Sequence, residues 1–205
     1  MIDRVVTHGT FELDGGSWEV DNNIWLIGDD DDVIVVDAAH DAGPIIDAVA
    51  GRNVVAVVCT HGHNDHVTVA PQLGEALDAP VLMHPADEVL WRMTHSDKQF
   101  RALEDGAVLT VGGTELRAIH TPGHSPGSTC LHAPELSAVF SGDTLFQGGP
   151  GATGRSYSDF PTILASISEK LGKLPRDTVV YTGHGDTTTI GGELVNYDQW
   201  VARGR

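Results

Sequence analysis

The stretch Thr60-His61-Gly62-His63-Asn64-Asp65-His66 constrains this chain most, because it sets three imidazoles and a carboxylate within a few residues of the apolar run at 54–59. Such a run reads as a buried strand, and the polar cluster behind it reads as a loop at the carboxyl end of a sheet, where α/β proteins place their chemistry. In an extended or looping backbone successive side chains alternate sides. His61, His63 and Asp65 can therefore point one way, while His66, opening the next element, enters from another angle. Neutral imidazole and carboxylate suit zinc, iron or manganese, and the lack of a thiolate in the loop argues against a closed structural zinc site. A lone His would read as an incidental polar residue; His-x-His-x-Asp-His behind a buried strand reads as a metal site.

Three further candidates stand at the ends of other strand-like runs. His124 lies in Thr121-Pro122-Gly123-His124-Ser125-Pro126-Gly127-Ser128, where proline and glycine fix a tight turn that aims the imidazole. Asp143 lies in Phe140-Ser141-Gly142-Asp143-Thr144, and His184 in Tyr181-Thr182-Gly183-His184-Gly185-Asp186. Singly, such an Asp reads as a turn or cap residue and such a Gly-His-Gly as a turn. Together with the first motif they supply seven donors, enough for two metals when a carboxylate bridges. The glycine-rich segment at 148–154 follows Asp143 and is expected to border the site.

Hydrophobic patterning gives short β pieces at 10–13 and 23–27, a buried strand at 33–36, a helix at 44–50, the strand at 54–59, a helix at 67–77, a strand at 80–84 and a helix at 86–93. Trp91, in that last helix, is expected in the core or a pocket wall. The second half reads as a hairpin of 107–111 and 115–120 around Gly112-Gly113, strands at 128–132 and 138–141, a helix at 161–171 and a strand at 178–182. Strands grouped in runs with few helices between them fit two sheets packed face to face, with helices on the outer faces, better than a doubly wound parallel sheet. One domain over residues 1–205 is expected from the length. Asp29-Asp30-Asp31-Asp32 reads as a solvated hairpin turn rather than a calcium loop, and Cys59 and Cys130 as buried free thiols. His84 and His95 have no partners at ligand spacing and read as structural or exposed.

A net charge of -17, with only 12 Lys and Arg, disfavours a nucleic-acid partner. No apolar run approaches the ~20 residues of a membrane span, so no membrane association is expected. The start, residues 1–8, carries an acid at once and lacks a basic leader with an apolar core, so a cytoplasmic location is expected. The oligomeric state is not specified at this level.

From Asp37 to His184, over nearly the whole length, these motifs resemble those of the metallo-β-lactamase-fold hydrolases, in the family's order. The resemblance implies a four-layer αββα sandwich with a dinuclear site in the cleft between its halves. It puts His61, His63 and His124 on one metal and Asp65, His66 and His184 on the other. Asp143 would bridge them, and Asp37 would steady the ligand loop from behind. Two divalent ions are implied, zinc first, with iron or manganese as alternatives, a metal-bridging hydroxide as nucleophile, and Asp65 and Asp143 as the acids close to the chemistry. The segments 141–146 and 121–128 look most like the glyoxalase II (hydroxyacylglutathione hydrolase) enzymes and their single-domain relatives. That makes a small acyl thioester or ester the implied substrate. A lactonase on the same site is the runner-up, and the persulfide dioxygenases, which hold one iron through positions matching His61, His124 and Asp143, also resemble this chain. Residues 154–161 resemble a segment of the short relatives with two residues inserted, which makes Arg155 either a clamp for a substrate carboxylate or a structural arginine.

Overall fold

In the computed structural model, which describes residues 1–204, the apolar runs become strands whose alternate side chains serve two different cores. The first sheet holds β1 (Ile2–Leu13), β2 (Gly16–Gly28), β3 (Asp32–Val36), β4 (Asn53–Val58), β5 (Val81–Met83) and β6 (Arg101–Ala102), side by side in that order. The pairs β1–β2 and β2–β3 are antiparallel, and β3 to β6 are parallel. The second half supplies β7 (Val108–Val111), β8 (Thr114–His120), β9 (Thr129–Ala133), β10 (Ala138–Gly142), a small ladder of β11 (Leu145–Phe146) with β12 (Gly149–Pro150), then β13 (Val179–Thr182) and β14 (Thr188–Thr189). Its sheet runs β14-β13-β10-β9-β8-β7, with β10 and β13 parallel.

Trp25, Ile27, Ile34 and Val36 of the first sheet meet Leu116, Leu131 and Phe140 of the second. Their sequence neighbours Ile24, Leu26, Val33 and Val35 belong to the opposite face, where α1 (Ala42–Val49), α2 (Asn64–Val67), α3 (Ala70–Ala76) and α4 (Glu88–Thr94) pack through Ile45, Val67, Leu73 and Trp91. Cys130, Val139 and Val180 do the same for the second sheet against α5 (Phe160–Glu169), α6 (Ile190–Leu194) and α7 (Tyr197–Arg203). Covering on both faces is why these strands read as continuous apolar runs, and each fully buried Val, Leu or Ile contributes about 1.5–3 kcal/mol. The layers are helix, sheet, sheet, helix, as the sequence led one to expect. No helix among the described residues is long and apolar enough to cross a membrane.

Two expected elements take a different form. The short β pieces at 10–13 and 23–27 are parts of one long hairpin, closed by Asp14 and Gly15, both at left-handed φ (52° and 76°), as a tight two-residue turn requires. Its outer half is poorly buried, so backbone pairing holds it and no apolar alternation marks it. The helix expected at 67–77 is broken into α2 and α3. Pro71 has no N–H, and in a continuous helix its ring would meet the carbonyl of Val67. That carbonyl instead lies 2.8 Å from His95 Nε2, which gives His95 a structural role. His84 stacks on His120 at 3.9 Å, Trp91 is core, Cys59 and Cys130 are free and buried, and Asp29 Oδ1 caps its turn by accepting from the Asp31 and Asp32 amides.

Candidate metal centre

Each expected site residue follows a strand. Asp37 comes after β3, and His61 and His63 after β4, running into the single turn of α2 that carries Asp65 and His66. His124 lies between β8 and β9, Asp143 between β10 and β11, and His184 after β13. The halves are tied together at this rim: the Thr129 amide donates to Thr60 O, the Asn23 amide to Gly183 O, and Trp25 Nε1 to Thr182 O.

The donor atoms form two triads and a link. His63 Nδ1 lies 2.9 Å from His61 Nε2 and 3.0 Å from His124 Nε2. Across the cleft, His184 Nε2 lies 3.2 Å from His66 Nε2 and 3.3 Å from Asp65 Oδ2. Asp143 reaches both groups, with Oδ2 3.5 Å from His124 Nε2 and 3.4 Å from His184 Nε2, and Oδ1 3.4 Å from His66 Nε2. Donors held tetrahedrally at the ~2.0–2.1 Å of a zinc–nitrogen bond stand about 3.3 Å apart, so these spacings match the edges of coordination polyhedra. Asp65 Oδ1 and Asp143 Oδ1 are buried without a hydrogen-bond partner, a costly arrangement that a bound cation nearby relieves by neutralising the carboxylates. This donor set fits divalent cations.

The far ring nitrogens are anchored. His124 Nδ1 lies 2.8 Å from Ala152 O and His184 Nδ1 2.7 Å from Asp21 O; a carbonyl only accepts, so Nδ1 carries a proton in each, and either ring, once neutral, presents Nε2 with its lone pair free. His66 Nδ1 lies 2.8 Å from Asp37 Oδ2, and the same carboxylate accepts from the Thr60 amide and hydroxyl, so Asp37 steadies the loop that begins at His61. A Cβ on Gly183 would stand 2.3 Å from Asp143 Oδ1 and 2.8 Å from His66 Cε1, so only glycine lets this backbone approach so closely. The glycine-rich segment borders the site as expected, through Ala152.

Electrostatics divide the triads. Burial, reinforced by the neighbouring imidazoles, pushes His63 down to about 3 and His61 well below its ordinary range, which keeps both neutral and ready to ligate. For His184 burial acts downward too, but the Asp143 and Asp65 carboxylates overcome it and raise the ring to about 10; His66 is raised likewise. Burial would raise Asp65, yet His66 and His184 hold it at about 2, and Asp143 is also held well below its ordinary range. In the cation-free chain, protons on His66 and His184 therefore balance the two carboxylates.

A cleft of about 130 Å³ opens over the donors, walled by Phe11, Leu13 and Val20 of the β1–β2 hairpin and by Ala152, Arg155, Ser156 and Ser158. The Arg155 guanidinium sits 3.9 Å from the Trp18 ring centroid and 5.3 Å from that of Phe11, and Phe11 in turn meets His63 edge-on. Sequence reasoning passed over this hairpin, as well as Asn22, which donates to Asp65 Oδ2 and lies 2.7 Å from His40, and the fully buried Asp87. The Asp14-Gly15 turn and an amide pair, Asn22-Asn23, entering an apolar strand were usable signals. Asp87 sits in no motif, and nothing local marks it.

A four-layer αββα sandwich that gathers five histidines and two aspartates on one rim is the frame of the metallo-hydrolase superfamily. The chain belongs to the metallo-beta-lactamase superfamily, whose family pattern matches residues 18–184. It is similar to the probable metallo-hydrolase YqgX of Bacillus subtilis, 33% identical over 194 residues that span 86% of this chain and 90% of that protein. It is also similar to the hydroxyacylglutathione hydrolase GloC of Haemophilus influenzae, 31% identical over 188 residues, 83% of this chain and 89% of that one. Among solved structures, TTHA1623 in a di-iron-bound form superposes with a TM-score of 0.77 at 32% identity, covering 85% of this chain and 93% of the other.

Proposed function

We propose that this chain hydrolyses a small acyl thioester at a dinuclear site, with His61, His63 and His124 on one divalent ion, Asp65, His66 and His184 on the second, and Asp143 between them. The position of Asp143 carries the reading, since one carboxylate lies within 3.5 Å of donors from both triads. Similarity to a hydroxyacylglutathione hydrolase supports the thioester, and similarity to a di-iron protein keeps iron beside zinc as the metal. When bound, two such ions supply Lewis-acid polarisation of a carbonyl and bring the pKa of water from 15.7 to about 7.

The chain's own groups do the rest. Asp65 Oδ2 is held by Asn22, which leaves the unpartnered Oδ1 to take the proton of the attacking water. The water oxygen bonds to the acyl carbon, the C–S bond breaks, and that proton passes to the departing thiolate. Phe11, Leu13 and Val20 exclude solvent from an apolar acyl group, and Arg155, steadied by Trp18, holds a carboxylate of the substrate. Both halves of the sandwich supply ligands, so residues 1–205 act as one domain. The buried, unpaired cysteines suit a reducing, cytoplasmic setting.

The same apolar wall suits a lactone or simple ester, the second reading. Elemental analysis of the purified protein alongside a panel of acyl thioesters, lactones and persulfides separates the possibilities. About two metals per chain with thioester turnover is the expected result. Strong lactonase activity with no thioesterase activity moves the substrate to the second reading, and one iron per chain with oxygen consumption on a persulfide overturns the hydrolase.

A further inference from the structure

Asp87, in the 3-10 turn Pro85–Asp87 ahead of α4, is fully buried, and no cation pairs with it among the described residues. Its carboxylate instead accepts three hydrogen bonds from two loops far apart in sequence. Oδ2 takes the Gly62 amide at 2.8 Å and the Ser125 hydroxyl at 2.7 Å, while Oδ1 takes the Gly127 amide. Gly62 lies between His61 and His63, and Ser125 and Gly127 form the turn behind His124. One side chain thus ties together the two segments that carry the first triad, one from each half of the sandwich. The loops are shaped for it: a Cβ on Gly127 would stand 2.7 Å from Asp87 Cγ, and one on Gly62 3.1 Å from Asp87 Cβ. The second triad has braces of its own, since Asp37 contacts His66 as well as Thr60, and Asn22 contacts Asp65 and His66.

Resting on the two-triad reading above, we infer that Asp87 is a positioning residue dedicated to the first metal position, setting the separation of His61 and His63 from His124 without touching the second triad. A carboxylate is required because all three incoming groups are donors. Asparagine offers acceptor lone pairs at one position only and turns an amide donor toward the remaining N–H or O–H. The geometry therefore predicts a graded loss, from Asp87→Asn to Asp87→Ala, confined to one site.

The test uses two backgrounds, His184→Ala, which leaves the first triad, and His63→Ala, which leaves the second. Zinc and cobalt(II) affinities are measured by competition with a chromophoric chelator, and circular dichroism checks the fold. In the His184→Ala background, Asp87→Asn should weaken metal binding by tenfold or more, as for other groups that orient ligands from behind, with Asp87→Ala weaker still. In the His63→Ala background, Asp87→Asn should leave affinity within about twofold. Unchanged affinity in the first background overturns the inference, as does an equal loss in both, which would mark Asp87 as a general fold residue. Should Asp87→Ala fail to fold, Asp87→Asn and Ser125→Ala, which removes one of the three bonds, decide between the same two outcomes. A parent chain binding fewer than two metal equivalents overturns the dinuclear reading separately, since the dependence on Asp87 is still read in the single-triad background.

Discussion

At the scale of single residues, the site is a problem of charge. Two carboxylates and five imidazoles share one buried rim, and without a cation the balance is kept by protons on His66 and His184. Asp143 stands within 3.5 Å of donors from both triads, and in the proposed reading both metal positions depend on it. Asp143→Ala should lower hydrolytic activity at least a hundredfold and reduce bound metal to one equivalent or less. It should also lower the thermal midpoint, because metal affinity and folding are linked. Elemental analysis, steady-state rates and a melting curve on one preparation check all three, and a variant with parental metal content and activity removes Asp143 from the site.

At the scale of an element, the β1–β2 hairpin makes one wall of the cleft although it contributes no metal-site donor. Trp18 and Phe11 lie under the Arg155 guanidinium and fix where that cation stands. A cation–π contact of about 0.5–1 kcal/mol at a partly exposed site corresponds to a change of roughly two- to fivefold. Arg155→Ala should raise KM for an anionic thioester by more than it lowers kcat, and Trp18→Ala should raise KM by about two- to fivefold. The double variant should fall short of the product of the two effects, because each acts through the other. Effects that multiply independently would mean that Trp18 and Arg155 are not coupled in binding substrate.

At the scale of the molecule, the shifted pKa values set a stability window. His184 is raised from 6.5 to about 10, so its contribution in the metal-free chain is complete below pH 6.5 and is lost as pH rises toward 10. Asp65 is lowered from 3.8 to about 2, so its contribution is present above pH 3.8 and is lost as pH falls toward 2. Metal binding replaces those protons. The difference in melting temperature between metal-loaded and chelator-treated protein should therefore widen as pH rises from 6.5 toward 10; a difference that narrows over that range contradicts the assignment. The net charge of -17 acts more widely, repelling anionic substrates over distances that salt screens. KM for a dicarboxylate thioester should fall as salt is added, while KM for an uncharged ester should stay flat. Steady-state kinetics across a salt series decides this.

Local pattern was enough to pick out the candidate ligand residues and their places after strands, because a run of apolar residues ending in His, Asp or Gly is a signal that needs no partner to be read. It also determined the layered architecture, since strands covered on both faces must be apolar throughout. Which donors converge is a property of the assembled fold, because convergence depends on the register between two sheets whose strands lie more than a hundred residues apart. His66 and His184 meet at 3.2 Å only because β4 and β13 end on the same rim. The assembled fold alone decided the roles of Asp87, Asn22 and the outer hairpin as well. A buried carboxylate, like a buried amide, is defined by the groups that satisfy it, and those of Asp87 and Asn22 come from segments that local pattern does not connect.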